Sequence, residues 1–495
     1  MSNLTTELKQ QLTTENPRVM QDADENWHSA HQLEGLRQQW HRFWNDAGIG
    51  YGDTVLVSLP NSVANILLLQ TLWECGIQVH SINAATPSNR RATLDAQYHY
   101  AALLTTPNQD RLVGNFTTAL LPTLDLPNLQ VATRNAHTDH TAKLPAEDDI
   151  AVIMHTSGTT GKPKRVGLTH GNLYACAQNI ITSERLTNSD KSLLVMPLFH
   201  VNALVISTLA TRLSGGQLLV RPRFSAHRFW HDMAVNAVTW ASLTPAIIAI
   251  LLQHDEVPAD LPNLRFLRSA SAPLPPSMHA AFDQRFHLPL IESYGMTEAA
   301  SQITQNPLNA PHQGSVGQVT GDEIQLLDAH HRPVAPGKTG EIALRGANVI
   351  THYLDEQPDA FTVDGWLLTG DLGWLDPDNY LHLIGRSKEM IIRGGENVNP
   401  LVVENELRQL PFVKEVAVVG LPDTIYGETV TAIVVPTGHG DAATKTARLQ
   451  AIAKARLLPA EQPTTYLFQT ALPKNATGKI QRSALKKQLT AAKTA

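Results

Sequence analysis

Hydrophobic positions in the first half of the chain form short runs that alternate with longer amphipathic stretches. The run VLVSL (55–59) precedes a helical pattern around SVANILLLQTLWECG, and GQLLVRP (216–222) precedes RFWHDMAVN. Strands that alternate with helices are typical of parallel α/β layers. The pattern therefore predicts an α/β protein, and a length of 495 residues is too great for a single hydrophobic core.

The pattern changes after about residue 340, where the apolar runs become short and β-like. GWLD and YLHLIGR are separated by Pro-Asp-Asn, which is typical of a hairpin turn. A smaller unit follows Arg386, with the strands EVAVVGL, TVTAIVVP and TYLFQT, a helix near ARLQAIAKARLL and a basic C-terminal helix. We therefore expect a large N-terminal domain, residues 1–386, and a small C-terminal domain, residues 387–495.

The apolar stretch at residues 237–252 is the best candidate for a membrane span. Pro245 lies in its middle and Thr244 precedes it, which favours a strand that ends at a threonine cap and a helix that begins at the proline. The stretch is also short for a bilayer. We therefore predict buried core and no membrane span.

Composition narrows the class of protein further. The formal net charge of −6 argues against a general nucleic-acid binder. Cys75 and Cys176 are the only cysteines, and MSNLTTELKQQL has no apolar signal-peptide core, so a reducing, cytoplasmic location is expected. None of the 21 histidines shows metal-ligand spacing together with nearby acids, so no zinc site is predicted.

The segment HTSGTTGKPK (155–164) has the chemistry of a phosphate-binding loop. Glycines let backbone N–H groups converge, and hydroxyls and lysines can bind phosphate oxygens. Its spacing does not match the Walker pattern, because Gly158 and Gly161 are too close and a strand-like RVGLT follows. A plain hairpin turn rich in glycine and threonine is the alternative.

The full string HTSGTTGKPK closely resembles the phosphate-binding signature of the adenylate-forming superfamily, which includes acyl-CoA synthetases, nonribosomal adenylation domains and luciferases. Four further segments resemble its other motifs in the same order: SYGMTE (293–298), TGD (369–371), GRSKEMIIRGGEN (385–397) and PKNATGK (473–479). The resemblance covers nearly the whole chain. It implies a large N-terminal domain of mixed sheets with helices in several layers, and a small, mobile α+β C-terminal domain.

The resemblance implies an enzyme that uses ATP, Mg²⁺ and coenzyme A. A carboxylate attacks the α-phosphorus of ATP to form an acyl-adenylate and pyrophosphate, and a thiol then displaces AMP. The catalytic residues it implies are Lys479 at the carboxylate and α-phosphate, Thr297 at the α-phosphate, Glu298 as the magnesium ligand and His200 beside the acyl pocket. The residues it implies for binding ATP or coenzyme A are Thr156, Ser157, Gly158, Thr159, Thr160, Lys164, Ser271, Ala272, Pro273, Glu292, Ser293, Tyr294, Gly295, Met296, Asp371, Arg386, Lys388, Gly394 and Gly395.

Several of these residues also have a plainer interpretation. Glu298 suits a helix-capping acid, and Asp371 suits a turn cap. Lys479 could be one more solvated lysine of a basic tail. Gly394 and Gly395 could form a simple β-turn. The surrounding strings, and not the single residues, favour the functional interpretation.

The same resemblance implies that the thioester step uses a second arrangement of the small domain. Lys388 matches the hinge about which that domain rotates. Rotation would withdraw Lys479 and bring Gly394 and Gly395 to line a narrow channel, where missing side chains leave room for a pantetheine arm.

The substrate acid is less well defined. Amino-acid-activating members usually carry an aspartate after the phenylalanine of MPLFHV, whereas His200 follows Phe199 here, so an amino acid is not expected. MPLFHV, RFSAHRFWHDM, RSASAPLPPSM and YGMTEAASQITQNPLN resemble the oxalate–CoA ligase subgroup, which suggests a small acid such as an oxalate-like dianion. Ser269, Ser271 and Arg268 are candidates for the acid pocket.

Some positions depart from the patterns of the resemblance. Asn202-Ala203 stands where the oxalate–CoA ligase subgroup commonly has His-Gly, so oxalate itself is not singled out. Arg165 replaces a common glycine and would place bulk and charge beside the phosphates.

The leading interpretation is an ATP-dependent acid–CoA ligase that also binds a small-molecule carboxylic acid. Its alternatives are an enzyme that loads a separate carrier protein, a medium- or long-chain fatty acid–CoA ligase, and a non-catalytic AMP-sensing or scaffold protein on the same fold. The presence of Lys479, Glu298 and Asp371 argues against the non-catalytic alternative. The sequence leaves the oligomeric state open.

Overall fold

The computed structural model describes residues 1–106, 116–126, 129–134, 143–156, 164–256, 260–438, 440–474 and 478–494. Its α-helices over these residues are α1 (Asn3–Leu12), α2 (Ala30–Asp46), α3 (Val63–Glu74), α4 (Ser88–Tyr98), α5 (His170–Glu184), α6 (Thr211–Leu213), α7 (Ala226–Val235), α8 (Pro245–Gln253), α9 (Pro276–Phe286), α10 (Pro400–Leu407), α11 (Ala442–Arg456) and α12 (Arg482–Thr494). A π-helix spans Asn202–Ala210, and 3₁₀ turns span Thr297–Ala299, Pro358–Ala360 and Ser387–Glu389.

The strands in the same ranges are β1 (Met20–Gln21), β2 (Trp27–His28), β3 (Thr54–Ser58), β4 (Gln78–Ser81), β5 (Ala102–Thr105), β6 (Phe116–Leu121), β7 (Leu129–Arg134), β8 (Ile150–Thr156), β9 (Lys164–Thr169), β10 (Lys191–Leu194), β11 (Gln217–Val220), β12 (Trp240–Leu243), β13 (Phe266–Ser269), β14 (Leu290–Met296), β15 (Ser301–Gln305), β16 (Gln318–Val319), β17 (Glu323–Leu327), β18 (Gly340–Arg345), β19 (Leu367–Leu375), β20 (Leu381–Arg386), β21 (Ile391–Arg393), β22 (Glu396–Val398), β23 (Val413–Asp423), β24 (Gly427–Pro436) and β25 (Thr465–Phe468).

Two large mixed sheets form the layers of the first part of the chain. One has the strand order β6-β7-β5-β3-β4-β8-β9, and the other has the order β16-β15-β14-β13-β12-β10-β11-β1-β2. Their central pairs are parallel, whereas β8 with β9 and β14 with β15 are antiparallel. The predicted α/β class with mixed sheets and several layers is confirmed.

An antiparallel four-stranded sheet, β17-β18-β19-β20, follows. The predicted hairpin with its Pro-Asp-Asn turn lies between β19 and β20. There Asp376 Oδ1 accepts hydrogen bonds from the backbone N–H groups of Asp378 and Tyr380 at 3.0 and 2.9 Å. Asn379 takes a left-handed conformation, with φ of 63°, which asparagine tolerates better than most residues. This tight turn places the ends of β19 and β20 in fixed register.

The last part of the chain is built on the sheet β22-β21-β24-β23, with β25 paired to β24. Alternate residues of β23 point to opposite faces, as the twofold period of a strand requires. Val416 and Val418 belong to one buried cluster with α10 and α11, and Ala417 and Val419 belong to another with α12. Helices therefore cover both faces of this small α+β unit. The domain boundary at residue 386 stays a prediction.

The apolar stretch at residues 237–252 folds as the sequence predicts. It forms β12 and then α8, and the Thr244 side chain accepts a hydrogen bond from the Ile247 N–H as the helix cap. Apolar residues of both elements, among them Trp240, Leu243, Ile248 and Leu251, belong to the largest hydrophobic cluster. Over the described ranges, every helix is too short or too polar to cross a lipid bilayer.

Candidate active site

Two groups of predicted site residues lie at the carboxyl ends of β13 and β14. These strands are parallel, with Ser269 aligned to Glu292, and the carboxyl ends of parallel strands meet at one edge of a sheet. The loop after β13 carries Ser271, Ala272 and Pro273. At the end of β14 the chain enters a 3₁₀ turn that holds Thr297 and Glu298, and then returns as β15. The fold therefore brings these two motifs to the same edge.

Gly295 allows the close return of β15 against β14. A Cβ atom at Gly295 would lie 1.5 Å from the carbonyl oxygen of Ser301. The nearest obstacle is backbone, which no rotamer change can move. Only glycine fits here, and the tight hairpin fixes the position of Glu298 directly beyond it.

Glu298 is a buried carboxylate with 6% of its surface exposed. The Tyr353 hydroxyl donates to Glu298 Oε1 at 2.9 Å, and Lys164 Nζ lies 4.7 Å from the centre of the Tyr353 ring. Burial lowers the pKa of Lys164; the charge of Glu298 opposes this shift and that of Lys388 adds to it. Two lysines and one carboxylate therefore share a single electrostatic environment.

Asp371 forms a second polar centre. It lies directly opposite Arg386 in the antiparallel register of β19 and β20. Arg386 Nε lies 2.9 Å from one carboxylate oxygen, and the Tyr294 hydroxyl donates to the other at 2.6 Å. Burial raises the pKa of Tyr294, and the charge of Asp371 raises it further. The phenol therefore keeps its proton at neutral pH, and it holds the carboxylate in place.

Lys479 lies within electrostatic reach of this second centre. Burial lowers the pKa of Lys479 and the charge of Arg386 acts in the same direction, while Asp371 and Glu389 oppose the shift. The preceding residue, Gly478, contacts the first turn of α8, where its Cβ would lie 2.8 Å from that of Ala246. Gly478, and with it the neighbouring Lys479, therefore lies close to the helix that follows β12, in the sheet that also contains β13 and β14.

The phosphate loop is only partly described. Thr156 at the end of β8 pairs with Lys164 at the start of β9, so these residues close the base of the loop. Ser157, Gly158, Thr159 and Thr160 lie outside the described residues. The predicted strand after the loop is present as β9.

Gly394 and Gly395 form the turn between β21 and β22. Arg393 pairs with Glu396, so the two glycines are the whole of a two-residue hairpin loop. Their φ angles of 60° and 87° are both positive, as a type I′ turn requires. The backbone N–H of Gly394 donates to the Tyr426 carbonyl at 2.8 Å. The two glycines thus form the simple β-turn that was the alternative interpretation of the sequence. That they line a channel for the pantetheine arm stays a prediction.

The predicted acyl pocket borders a network of uncharged polar side chains. Asn202 begins the π-helix and is buried. Its Oδ1 accepts from the Ser242 hydroxyl at 3.0 Å, and its Nδ2 donates to Ser271 Oγ at 3.2 Å. His200 Nε2 is buried without a hydrogen-bond partner among the described residues. Burial lowers the pKa of His200 to about 4, so the ring is neutral at physiological pH.

The prediction that Arg268 serves the acid pocket is wrong. Its guanidinium is buried in an ion pair with Glu184 at 2.6 Å, and it also donates to Gln302 Oε1. Ser269 is the next residue on β13 and therefore points to the opposite face of the strand. Its hydroxyl is buried without a hydrogen-bond partner among the described residues.

Arg165, which the sequence predicts beside the phosphates, is held by an acidic partner. Its Nε and Nη2 donate to Asp355 Oδ1 at 2.9 and 2.8 Å, and its backbone N–H donates to Oδ2 at 2.9 Å. The guanidinium lies over the ring of Tyr98 at 4.7 Å. Asp355 thus neutralises the extra charge, and Arg165 joins β9 to the segment that carries Tyr353.

Sequence reasoning missed two residues that hold predicted site residues in place. Tyr353 binds Glu298, and His279 Nδ1 lies 3.3 Å from Glu292 Oε1. The hydrogen bond to Glu292 raises the pKa of His279. Tyr353 lies 55 residues along the chain from Glu298, outside every motif, so nothing in the sequence indicated that the two residues are in contact. His279 lies on α9 and gave no motif.

Comparison with known proteins agrees with this arrangement. Residues 9–354 match the AMP-binding enzyme family model, and residues 402–479 match the AMP-binding enzyme C-terminal domain. The chain is 37% identical to a sulfoacetate–CoA ligase of Cupriavidus necator over 455 residues, which cover 89% of this chain and 88% of the relative. It is 36% identical to an oxalate–CoA ligase of Arabidopsis thaliana over 462 residues, 89% of each chain.

A solved structure shares the fold over nearly the whole length. The o-succinylbenzoate coenzyme A synthetase of Bacillus subtilis, in complex with ATP and a magnesium ion, superposes with a TM-score of 0.82 at 26% identity. The alignment covers 98% of this chain and 99% of that structure.

The family models, the relatives and the fold all agree with the order of motifs along the sequence. The resemblance to adenylate-forming enzymes is therefore confirmed, as is the prediction of an acid–thiol ligase. The chain belongs to the AMP-binding enzyme family and is an ATP-dependent acid–CoA ligase.

Proposed function

We propose that this enzyme activates a small, polar carboxylic acid and transfers it to coenzyme A. In the first step a carboxylate oxygen attacks the α-phosphorus of ATP, and pyrophosphate leaves. In the second step the thiol sulfur of coenzyme A attacks the acyl carbon, AMP leaves, and the thiol proton passes to solvent. The first step brings two anions together, so it needs positive charge that is already in position.

The β- and γ-phosphates would be bound by the loop that Lys164 closes. The binding groups would be the Lys164 ammonium and the hydroxyls of Thr156, Ser157, Thr159 and Thr160. Thr297 would contact the α-phosphate. Glu298 fits a magnesium ligand, because Mg²⁺ prefers oxygen donors and is usually held by one or two carboxylates together with substrate phosphates. When it is bound, Mg²⁺ neutralises phosphate charge. Tyr353 would orient the Glu298 carboxylate through the hydrogen bond to Oε1.

Asp371 would accept hydrogen bonds from the ribose hydroxyls, since an ionised carboxylate only accepts. Tyr294 and Arg386 hold it in a fixed orientation. Residues 292–296 and the loop at residues 271–273 would surround the adenine. Lys479 would lie between the carboxylate and the α-phosphate, where its charge stabilises the transition state of adenylation.

The polar network around Asn202 is the observation that supports a small, polar acid. A pocket for a long alkyl chain needs an apolar lining. A polar side chain covered by an alkyl chain would lose its hydrogen bonds to water and gain none in return, which costs free energy. Asn202 instead follows neutral His200 by two residues and forms with Ser242 and Ser271 a hydrogen-bonded network of amide and hydroxyl groups. A second oxygen-bearing group on a short acid could exchange hydrogen bonds with them.

The thioester step would need a rearrangement of the small domain about Lys388. That residue lies in the 3₁₀ turn directly after β20. The Gly394-Gly395 hairpin would then line the path of the pantetheine arm. The two free cysteines fit a reducing, cytoplasmic location, which we include in the proposal.

The test is acid-dependent exchange of labelled pyrophosphate into ATP, followed by CoA-dependent thioester formation. The panel runs from oxalate and sulfoacetate through short aliphatic and aromatic acids to long-chain acids. We expect exchange with small polar acids and thioester formation with free coenzyme A. Exchange with long-chain acids alone would instead support a fatty acid–CoA ligase. A thioester formed only on a carrier protein would support the carrier-loading alternative.

A matched pair of variants tests the acid pocket. Asn202→Leu keeps a similar volume but removes the amide. We expect kcat/KM for the preferred small acid to fall by about tenfold or more, while KM for ATP stays unchanged. Asn45→Leu changes an exposed asparagine on α2 and should leave both parameters unchanged. An equal effect of both variants would contradict the assignment of the pocket.

A further inference from the structure

A cluster of metal-ligating side chains lies outside the active site, where the first turn of α7 meets the end of α8. His227 comes from α7, and His254 and Glu256 come from the segment that follows α8. One ligand atom of each lies within 4.8 Å of the others. His227 Nδ1 lies 3.8 Å from Glu256 Oε1, and the two imidazole rings have centroids 4.4 Å apart.

The backbone around His254 is fixed by neighbouring elements. Its N–H donates to the carbonyl groups of Ile250 and Leu251, which ends α8. Arg285 of α9 donates to the carbonyl groups of Leu252 and His254. His254 Nδ1 is buried and has no hydrogen-bond partner among the described residues. A buried ring nitrogen without a partner is uncommon in native proteins and calls for an explanation.

We propose that His227, His254 and Glu256 form a binding site for a divalent transition metal, with Zn²⁺ as the ion that the donors fit best. Two imidazoles and one carboxylate form a ligand set that Zn²⁺ accepts, with water at the fourth position. Mg²⁺ and Ca²⁺ are bound mainly by oxygen ligands, so they fit this site poorly.

Coordination needs only small movements of the side chains. Ligand atoms about 2.0–2.1 Å from a tetrahedral ion lie roughly 3.3 Å from one another, compared with separations of up to 4.8 Å here. The side chain of His227 is 81% exposed and that of Glu256 is 47% exposed. Both can therefore rotate toward His254 without disturbing the core. His231, one turn further along α7, does not belong to the cluster.

The bound ion would join the start of α7 to the end of α8. Neither helix end contributes a residue to the nucleotide site described above. We therefore expect the bound ion to stabilise the fold, because it binds the native state more tightly than the unfolded chain. Occupancy of the metal site should raise the melting temperature and leave the rate of adenylation unchanged.

The test is Zn²⁺ binding to the untagged, full-length protein after treatment with a chelator. Zn²⁺ is titrated against a chromophoric competitor with millimolar Mg²⁺ present, so that sites with oxygen ligands are filled. We expect one equivalent to bind, and His227→Ala or His254→Ala to weaken this binding by about tenfold or more. Because the His227 side chain makes little core contact, its replacement should not unfold the protein.

His330→Ala is the matched control, because it removes an exposed histidine from a turn far along the sequence. It should bind Zn²⁺ as the wild type does. In a second measurement, Zn²⁺ should raise the melting temperature of the wild type and of the control but not that of His227→Ala. Equal Zn²⁺ affinity in the wild type and in both cluster variants would overturn the proposal, as would a wild type that binds no Zn²⁺.

Discussion

Lys479 is the single residue on which we expect the first chemical step to depend most. It lies within reach of Asp371 and Arg386, in a partly buried environment that strengthens electrostatic interactions. Replacing it with alanine should lower the rate of pyrophosphate exchange by about 10²–10³-fold, the usual cost of removing one transition-state donor. Binding of ATP should change much less. The measurement compares kcat and KM for exchange.

Lys487→Ala is the control for this variant, because Lys487 is an exposed lysine of the same basic segment. It should exchange pyrophosphate at the wild-type rate. Equal rates of pyrophosphate exchange in Lys479→Ala and Lys487→Ala would show that Lys479 is a solvated lysine without a catalytic role.

Motifs singled out residues that the structure brings together, although the roles of these residues stay predictions, whereas contacts across long separations left no signal in the sequence. Asp371 and Tyr294 were both placed by their motifs, and the structure joins them by a hydrogen bond. Tyr353 was missed because no local pattern ties it to Glu298. Arg268 was assigned wrongly because the string RSASAP does not reveal which face of β13 each residue occupies.

At the scale of elements, the β14–β15 hairpin has no room for a side chain at Gly295. Gly295→Ala would push a Cβ atom into the carbonyl group of Ser301. The strands would have to separate, and we expect the free energy of unfolding to fall by about 1–3 kcal/mol. Because the hairpin also carries Tyr294 and Glu298, KM for ATP should rise. Chemical unfolding and steady-state kinetics measure the two effects.

Gly35→Ala is the control for Gly295→Ala, because it adds the same methyl group at a position with room for it. Gly35 lies inside α2 with open space around the position of its missing Cβ. Alanine there should stabilise the protein by about 0.5–1 kcal/mol, because glycine loses more conformational freedom in a helix. A Gly295→Ala variant as stable and active as Gly35→Ala would show that β15 is not held closely against β14.

The ends of helices and strands could be predicted where the sequence contains a recognisable cap or turn motif. Thr244-Pro245 marked the start of α8, and Pro-Asp-Asn marked the turn between β19 and β20. The π-helix at Asn202–Ala210 was not predicted. All nine of its residues are buried, so no amphipathic period distinguishes it, and tertiary packing decides how tightly it winds.

At the scale of the whole molecule, the proposed mechanism separates two reactions by a rotation about Lys388. Lys388→Pro would restrict φ at this position to about −65°. Adenylation, which needs only the present arrangement, should keep most of its rate. Thioester formation should fall by about 10²-fold or more, because the second arrangement needs a different backbone conformation at the hinge. Single-turnover experiments with the acyl-adenylate and coenzyme A measure the second step directly.

Lys388→Ala is the control, since it removes the charge without restricting the backbone. It should retain thioester formation. If Lys388→Pro carried out both half-reactions at wild-type rates, the hinge would lie elsewhere in the chain.

The stability of the whole molecule should depend on the charge state of His170. This side chain is fully buried, and burial lowers its pKa to about 4, compared with about 6.5 in an unfolded chain. The unfolded state therefore binds more protons between pH 6.5 and pH 4. As the pH falls through this window, His170 should cost about 1.4 kcal/mol of stability per pH unit.

His170→Asn should remove this pH dependence, although it also lowers stability at pH 7.5 through the loss of packing. The quantity to measure is the difference in unfolding free energy between wild type and variant at pH 7.5, 6.5 and 5.5. The difference should shrink as the pH falls below 6.5. A constant difference would mean that His170 is not held neutral in the folded state.

The overall architecture was predictable from the alternation of strands and helices and from the order of five motifs. The strand order was not, because it depends on contacts between distant segments. The proximity of His227 and His254 could not be predicted either, since only the packing of α7 beside α8 brings residues 27 positions apart into one cluster.

The buried pair of Arg268 and Glu184 also bears on how the sheet assembles. The pair joins β13 to the end of α5, and both side chains are almost completely enclosed. Were β13 to slip by one residue, the guanidinium would turn to the opposite face, and Glu184 would be left in the core without its partner. Breaking a buried pair in this way costs about 3–5 kcal/mol. We therefore expect this ion pair to disfavour the misaligned sheet during folding, because only the correct register places the two charges side by side.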